Sequence, residues 1–319
     1  MHVLVTGGAG FIGSHVVRRL LKDGHAVRVV DNLSTGRREN LVDLEGQVDF
    51  HLADLADPDV CVRVVDGIEV VYHIAALPSV PRSIQDPIGT HRSNVNATVH
   101  LLEAGRRAGV RRVVFSSSSS VYGDTATLPK EENVEPLPRS PYAAAKLAAE
   151  QYVLAYARAG LIEGVALRYF NVFGPRQDPD GPYAAVIPLL LRAIKTGVPM
   201  TIYGDGLQTR DFTYVDNVVH ANLLAGTGAA ARVSGSVVNI GAGERSTLLD
   251  LVRLCEQTTG TRVTLKHLPN RAGDVRDSLA SLVRAADVLG YRPLVSLREG
   301  IRLLSEWTEM SGEEARIAG

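Results

Sequence analysis

The chain has 319 residues, is 45% hydrophobic by count and carries a formal net charge of -1 at pH 7. That supports a large core in one domain or two closely packed ones, and it gives no electrostatic case for a nucleic-acid partner. No apolar run is long enough to cross a membrane, and Met1-His2-Val3-Leu4-Val5-Thr6 reads as a buried strand rather than a leader, so an unprocessed cytoplasmic protein with no membrane partner is expected.

Only Cys61 and Cys255 are present, neither beside a second Cys or a His at ligand spacing. This argues against a disulfide framework and a zinc site, and both read as small buried apolar residues.

In chain order, residues 2–6 predict a strand, 11–23 a helix and 26–30 a strand. Residues 48–52 follow as a strand, 60–65 as a helix and 70–75 as a strand. Then come a helix over 93–108, a strand over 112–116, a long helix over 142–158 and a strand over 164–169. Apolar strands alternating with helices imply a Rossmann-like, doubly wound parallel sheet of the α/β class. After Asn171 the texture changes, with Pro175, Pro179, Pro182, Pro188 and Pro199 breaking the rhythm. Helices are expected over 185–196, 215–225 and 247–260, and a short strand over 237–240. The reading is a dinucleotide-binding domain over 1–170 and a smaller C-terminal substrate lobe over 171–319, with interleaved segments.

The spacing Gly7-x-x-Gly10-x-x-Gly13 joins the first strand to the first helix. Glycines there let backbone approach a pyrophosphate, and the helix N-terminus offers free N–H groups. Asp31 closes the next strand, 18 residues past Gly13. An acid at that point accepts hydrogen bonds from both ribose hydroxyls and repels a 2′-phosphate, which favours NAD over NADP. Arg37 and Arg38 lie near enough to soften that preference, although a solvated loop also accounts for them. Asp54-Leu55, at the end of the third strand, reads equally as an adenine contact or a turn cap.

Ser140-Pro141-Tyr142 looks like a helix start, with Ser as N-cap and Pro at N1. Tyr142 and Lys146 then share one helix face. A phenol titrates near pH 10, and bringing it to about 7 takes roughly 4 kcal/mol of selective phenolate stabilisation. The Lys146 ammonium, the helix N-terminus and an oxidised nicotinamide are expected to supply it, with Ser118 holding the substrate hydroxyl.

These motifs carry a family resemblance. The chain resembles the extended short-chain dehydrogenase/reductases, and within them the nucleotide-sugar 4-epimerases of the UDP-glucose/UDP-N-acetylglucosamine kind. The matching residues are Val5 to Ser14, Asp31-Asn32-Leu33, His73-Ile74-Ala75-Ala76, Ser116-Ser117-Ser118, Val121-Tyr122-Gly123, Tyr142 to Lys146, Arg168 to Pro175, Thr209-Arg210-Asp211-Phe212 and Arg271-Ala272-Gly273-Asp274. The resemblance implies Ser118, Tyr142 and Lys146 as the catalytic group. It implies that Gly7, Gly10, Phe11, Ile12, Asp31, Asn32, Asp54, Leu55, Ala75 and Ala76 hold NAD with Tyr142 and Lys146, and that Phe170 lies near the nicotinamide. Asn171, Ala185, Val186, Arg210, Arg271 and Asp274 are implied for the nucleotide diphosphate, with Tyr203 near the base. The implied reaction oxidises C4 to a transient 4-keto sugar, turns it about its diphosphate and reduces it from the other face.

In the related 4,6-dehydratases the positions of Ser119 and Ser120 carry Asp-Glu, and in the decarboxylases a Glu. Two serines argue for epimerisation of UDP-hexoses. In relatives restricted to UDP-glucose and UDP-galactose, the position of Ser278 carries a bulky Tyr. Ser278, with the segment 79–83, implies room for a 2-acetamido group, hence UDP-GlcNAc/UDP-GalNAc alone or alongside UDP-Glc/UDP-Gal. A nucleotide-sugar reductase or dehydrogenase with net NAD(P)H turnover is the alternative, and uridine against thymidine stays open. The resemblance also implies a homodimer joined by helices 93–108 and 142–158 in a four-helix bundle.

Overall fold

The computed structural model describes residues 1–178, 185–269 and 276–317, the side chains of 311–317 excepted. Six strands, β1 (His2–Thr6), β2 (Ala26–Asp31), β3 (Val48–Leu52), β4 (Val70–His73), β5 (Arg112–Ser118) and β6 (Glu163–Tyr169), join the later strand Ser236–Ile240 in one sheet. Every pairing in it is parallel. The order across the sheet is Ser236–Ile240, β6, β5, β4, β1, β2, β3. The chain thus winds one way from β1 to β3 and the other way from β4 to β6. The reversal lies between β1 and β4, whose C-terminal ends flank a ready-made crevice.

The unbroken apolar strands are explained by burial on both faces. Val3 and Val5 point into a core with Val16, Val17 and Leu20 of helix α1 (Phe11–Lys22). Leu4 and Val71 point the other way, onto Leu101 and Leu102 of helix Ala97–Ala108. Each such side chain contributes about 1.5–3 kcal/mol by leaving water.

Two elements differ instructively from expectation. The strand expected over 70–75 stops at His73, because the N–H groups of Ile74 and Ala75 both leave the ladder for the Thr6 hydroxyl, at 3.1 Å each. The helix expected over 93–108 is α-helical only over Ala97–Ala108, after a short helix Pro87–His91 and a π turn Arg92–Asn96. The Asn94 amide in that turn clamps the backbone of Leu77, at 2.8 Å to its N and 3.2 Å to its O. A π turn in such a place is commonly functional.

Beyond residue 170 the helices Val186–Thr196, Val215–Thr227 and Leu248–Thr259 stand where the pattern put them. Strand Ser236–Ile240 returns to the main sheet beside β6. The sequence reading assigned neither the strands Met200–Tyr203 and Leu265–Leu268, which pair in parallel, nor the helices Val283–Leu289 and Leu297–Ile317. Among the described residues no helix is long and apolar enough to cross a membrane.

Candidate active site

A cavity of about 580 Å³ opens along the C-terminal ends of the strands. Gly7, Gly10, Phe11 and Ile12 line it at the end of β1, and Asp31 and Asn32 at the end of β2. Asp54 and Leu55 follow β3, Ala75 and Ala76 follow β4, and Tyr142 and Lys146 close the far side.

The loop is built for close approach. Gly7 has φ +66°, and a Cβ there would lie 2.8 Å from the Ala75 backbone. A Cβ on Gly13 would lie 2.0 Å from the Gly7 oxygen. Gly13 therefore closes the loop on itself, while Gly10 faces the cleft. Helix α1 starts at Gly10 with no side-chain cap and no acid in its first turn. Its orphan N–H groups and partial positive charge are left for an anion.

Asp31 is nearly buried, and its oxygens each accept one backbone N–H, from Leu33 at 2.8 Å and Ala9 at 3.0 Å. Each retains acceptor capacity toward the cleft. Burial pushes its pKa up, opposed by those N–H groups. Two arginines stand near this end of the cleft, and Arg37 lines it. Arg37 pairs with Asp178 at 2.8 Å, and Arg38 lies over the Phe50 ring. Asp54 caps the turn through Ala56 N at 2.9 Å, and it also lines the cleft. These features fit a dinucleotide without a 2′-phosphate.

A fixed relay supports the β4 wall. The Thr98 hydroxyl donates to Asn94 O at 2.6 Å, so it must accept from His73 Nε2–H at 2.9 Å. His73 Nδ1 is then bare and accepts from Thr6 Oγ1 at 2.8 Å. Burial, reinforced by the Lys146 charge, lowers His73 to about 3 and keeps it neutral.

Tyr142 occupies the first turn of helix Pro141–Arg158, whose N-cap Ser140 accepts from Ala143 N at 3.1 Å. Ser118 ends β5 facing it. Ser118 Oγ accepts from Ser120 N at 3.2 Å and Ser120 Oγ at 2.9 Å, which leaves its own proton to give. Lys146 donates to Ser116 O at 2.7 Å and lies over the Phe115 ring.

The electrostatics of the chain by itself run as burial dictates. Burial drives the Tyr142 phenol above its ordinary value, opposed only by the Ser118 hydrogen bond. Burial likewise lowers Lys146 to about 7. The ammonium is turned to a carbonyl, so the chain alone does not acidify the phenol.

Lys146 therefore costs the fold stability. Between about pH 7 and its ordinary value the unfolded chain holds a proton that the folded chain releases, so stability rises with pH across that window. Lys146→Met is expected to raise Tm by at least about 3 °C below pH 7 in dinucleotide-free protein. The gain should shrink toward pH 10, which calorimetry at several pH values checks.

A second cavity, of about 280 Å³, adjoins the first at Ala185. Asn171, Ala185, Val186 and Arg210 all line it. Tyr203 and Ser278 are half-buried nearby rather than in its wall: Tyr203 O accepts from Gln208 at 2.8 Å, and Ser278 N donates to Thr209 O at 3.1 Å. Phe170 does not line the cleft; it is buried in a small cluster with Val121, Tyr122 and Ala280. Arg271 and Asp274 lie outside the described residues.

Sequence reasoning missed several lining residues. Arg176 and Gln177 line the large cleft, and Gln208, Phe212 and Leu248 line the smaller cavity. Arg176 sits at φ +65°, a strained conformation with no sequence signal. Gln208 had one, its place two residues before Arg210.

A nucleotide-binding loop, an anchored Ser/Tyr/Lys group and a neighbouring second cavity define a dinucleotide-dependent enzyme. The sequence profile of the NAD dependent epimerase/dehydratase family matches residues 3–241, and the chain belongs to that family. Its cofactor is NAD, which solved relatives carry. The UDP-glucose 4-epimerase of Mycolicibacterium smegmatis is 42% identical over 305 residues, 94% of this chain and 96% of that protein. The UDP-glucose 4-epimerase of Thermotoga maritima, solved with UDP-glucose, matches with TM-score 0.92 at 39% identity, covering 98% of this chain and 99% of that one. The UDP-N-acetylglucosamine 4-epimerase of Methanobrevibacter ruminantium, solved with UDP-N-acetylmuramic acid, matches with TM-score 0.91 at 38% identity, covering 97% and 98%.

Proposed function

We propose that the chain is a UDP-hexose 4-epimerase acting through a transient 4-keto sugar, on UDP-GlcNAc/UDP-GalNAc and also on UDP-Glc/UDP-Gal. The observation that carries this is the chemistry of the catalytic wall. Tyr142 lines the cleft with Ser116 and Ser117, Ser118 faces the phenol, and among the described residues the carboxylates that line the cleft, Asp31, Asp54 and Asp178, all sit at its dinucleotide end. Glu150 is buried beneath and tied to Arg168 and Ser117. Eliminating water needs an acid and a base beside the sugar. Moving one proton on and off O4 needs only the phenol. The epimerase relatives support the same reading.

When bound, NAD supplies the hydride acceptor and donor and the positive charge of its oxidised ring. Tyr142 takes the O4 proton and later returns it. Ser118 holds O4 in line with the phenol. Lys146 fixes the Tyr142 helix face to β5 through Ser116. Arg210, a planar fork suited to oxyanions, anchors the diphosphate from the smaller cavity while the keto sugar turns.

Incubating purified protein with UDP-GlcNAc and no added dinucleotide should yield UDP-GalNAc with no lasting change in NADH absorbance. Stoichiometric consumption of added NAD(P)H would point instead to a reductase or dehydrogenase. Ser278→Tyr is expected to lower kcat/KM for UDP-GlcNAc by at least about tenfold and to spare UDP-Glc. Equal turnover of both in the variant would remove the size argument. The half-exposed Tyr152, on helix Pro141–Arg158, belongs to the homodimer we also propose, which pairs that helix with Ala97–Ala108.

A further inference from the structure

Asp211 is fully buried, next to Arg210, and touches neither cavity. Along an extended strand, successive side chains point to opposite sides. Arg210 thus faces the smaller cavity while Thr209 and Asp211 face the scaffold behind it.

What Asp211 does there is specific. Oδ1 accepts from Ala242 N at 2.8 Å, and Oδ2 accepts from Gly243 N and Ala280 N, both at 3.1 Å. One carboxylate therefore ties its own strand to the loop after Ser236–Ile240 and to the segment that follows Ser278. The fit is close, since a Cβ on Gly241 would lie 2.7 Å from Oδ2.

The same two segments are sewn together upstream. Thr209 N donates to Arg276 O at 3.0 Å, and Ser278 N donates back to Thr209 O at 3.1 Å. Thr209 Oγ1 donates to Asp277 at 2.5 Å. Arg210 Nη1 donates to Arg276 O at 3.1 Å and to Thr209 O at 2.9 Å. The guanidinium is thus aimed by the segment that carries Ser278. On its other edge, Thr209–Arg210 pairs with Ser246–Thr247, which leads into Leu248 of the cavity wall.

We propose that Asp211 is a positioning residue for the nucleotide sugar. It locks the strand bearing Arg210 to the segment bearing Ser278, and so fixes the diphosphate anchor against the segment that runs beside the smaller cavity. This rests on the placement of the diphosphate at Arg210 and on the size argument at Ser278, both proposed above. A sugar that turns about its diphosphate during the reaction needs that anchor held still, and a carboxylate with three N–H donors supplies that rigidity.

The Asp211→Asn variant tests it. The amide has one acceptor oxygen, and its NH2 faces a backbone N–H, so at least one tie is lost. Calorimetric titration of NAD-loaded protein with UDP should show about tenfold weaker binding. KM for UDP-GlcNAc should rise in parallel, while kcat at saturation stays within about twofold. A folded variant that binds UDP like wild type, or that loses kcat with KM unchanged, overturns the proposal. If the variant does not fold, Thr209→Val decides: it removes the Asp277 bond from the same seam and should weaken UDP about threefold, and wild-type affinity there overturns the proposal. UDP binding is read without turnover. A chain that binds UDP yet does not epimerise sinks the 4-epimerase reading alone, and a wild-type chain that binds no UDP sinks both.

Discussion

Replacing Tyr142 by Phe is expected to lower kcat for epimerisation by about 10²–10⁴-fold, with UDP affinity unchanged and NAD still bound. The ring keeps its packing at the start of helix Pro141–Arg158. Only the oxygen that faces Ser118 is lost. Ser118 cannot replace it, because a neutral hydroxyl is a far weaker base than a phenolate. Burial already raises the phenol's pKa in the chain by itself. The residue works against its surroundings until a positive charge occupies the cleft. The loss should accordingly appear in kcat rather than KM, which steady-state kinetics with both UDP-sugar pairs will resolve. Full turnover by the Phe variant would remove the proposed acid–base step.

Breaking the buried ion pair beneath the site should be the most damaging change to stability. Glu150→Ala is expected to cost about 3–5 kcal/mol. Glu150 and Arg168 meet at 2.6 Å with side chains 0% and 3% exposed. Glu150 also accepts from Ser117 Oγ at 2.6 Å, and Arg168 lies over the Tyr122 ring. Removing the carboxylate strands a guanidinium where water cannot reach it, and frees the Ser117 hydroxyl in the strand that positions Ser118. Denaturant unfolding will show the loss, and a midpoint unchanged from wild type would contradict it. Glu150→Gln keeps an acceptor and should lose less. Its activity should fall less steeply than its stability, since Glu150 does not itself line the cleft.

Much of the fold was legible because its signals are local. β1 follows from an apolar run, β3 from apolar and polar residues in alternation, and helix Pro141–Arg158 from Ser140 and Pro141 as cap and first turn. The dinucleotide loop and Asp31 were legible because the chemistry dictates glycine and acid at set points along neighbouring segments. Other features were not. The early end of β4 depends on a hydroxyl from another strand, and the π turn at Arg92–Asn96 on an amide that reaches Leu77. Phe170, Tyr203 and Ser278 adjoin motif residues in the chain, yet they sit behind or beside the cavities. Adjacency in sequence does not fix which way a side chain points.

By itself the sequence determined the parallel sheet, the dinucleotide end of the cleft and the Ser118/Tyr142/Lys146 group, because periodicity, glycine spacing and helix register act over a few residues. Only the tertiary structure decided that Lys146 turns to the Ser116 carbonyl, that Arg37 is held by Asp178, and that Asp211 binds three remote backbone groups together. Each depends on partners far apart in the chain, whose meeting is set by packing of the whole sheet and not by any local preference.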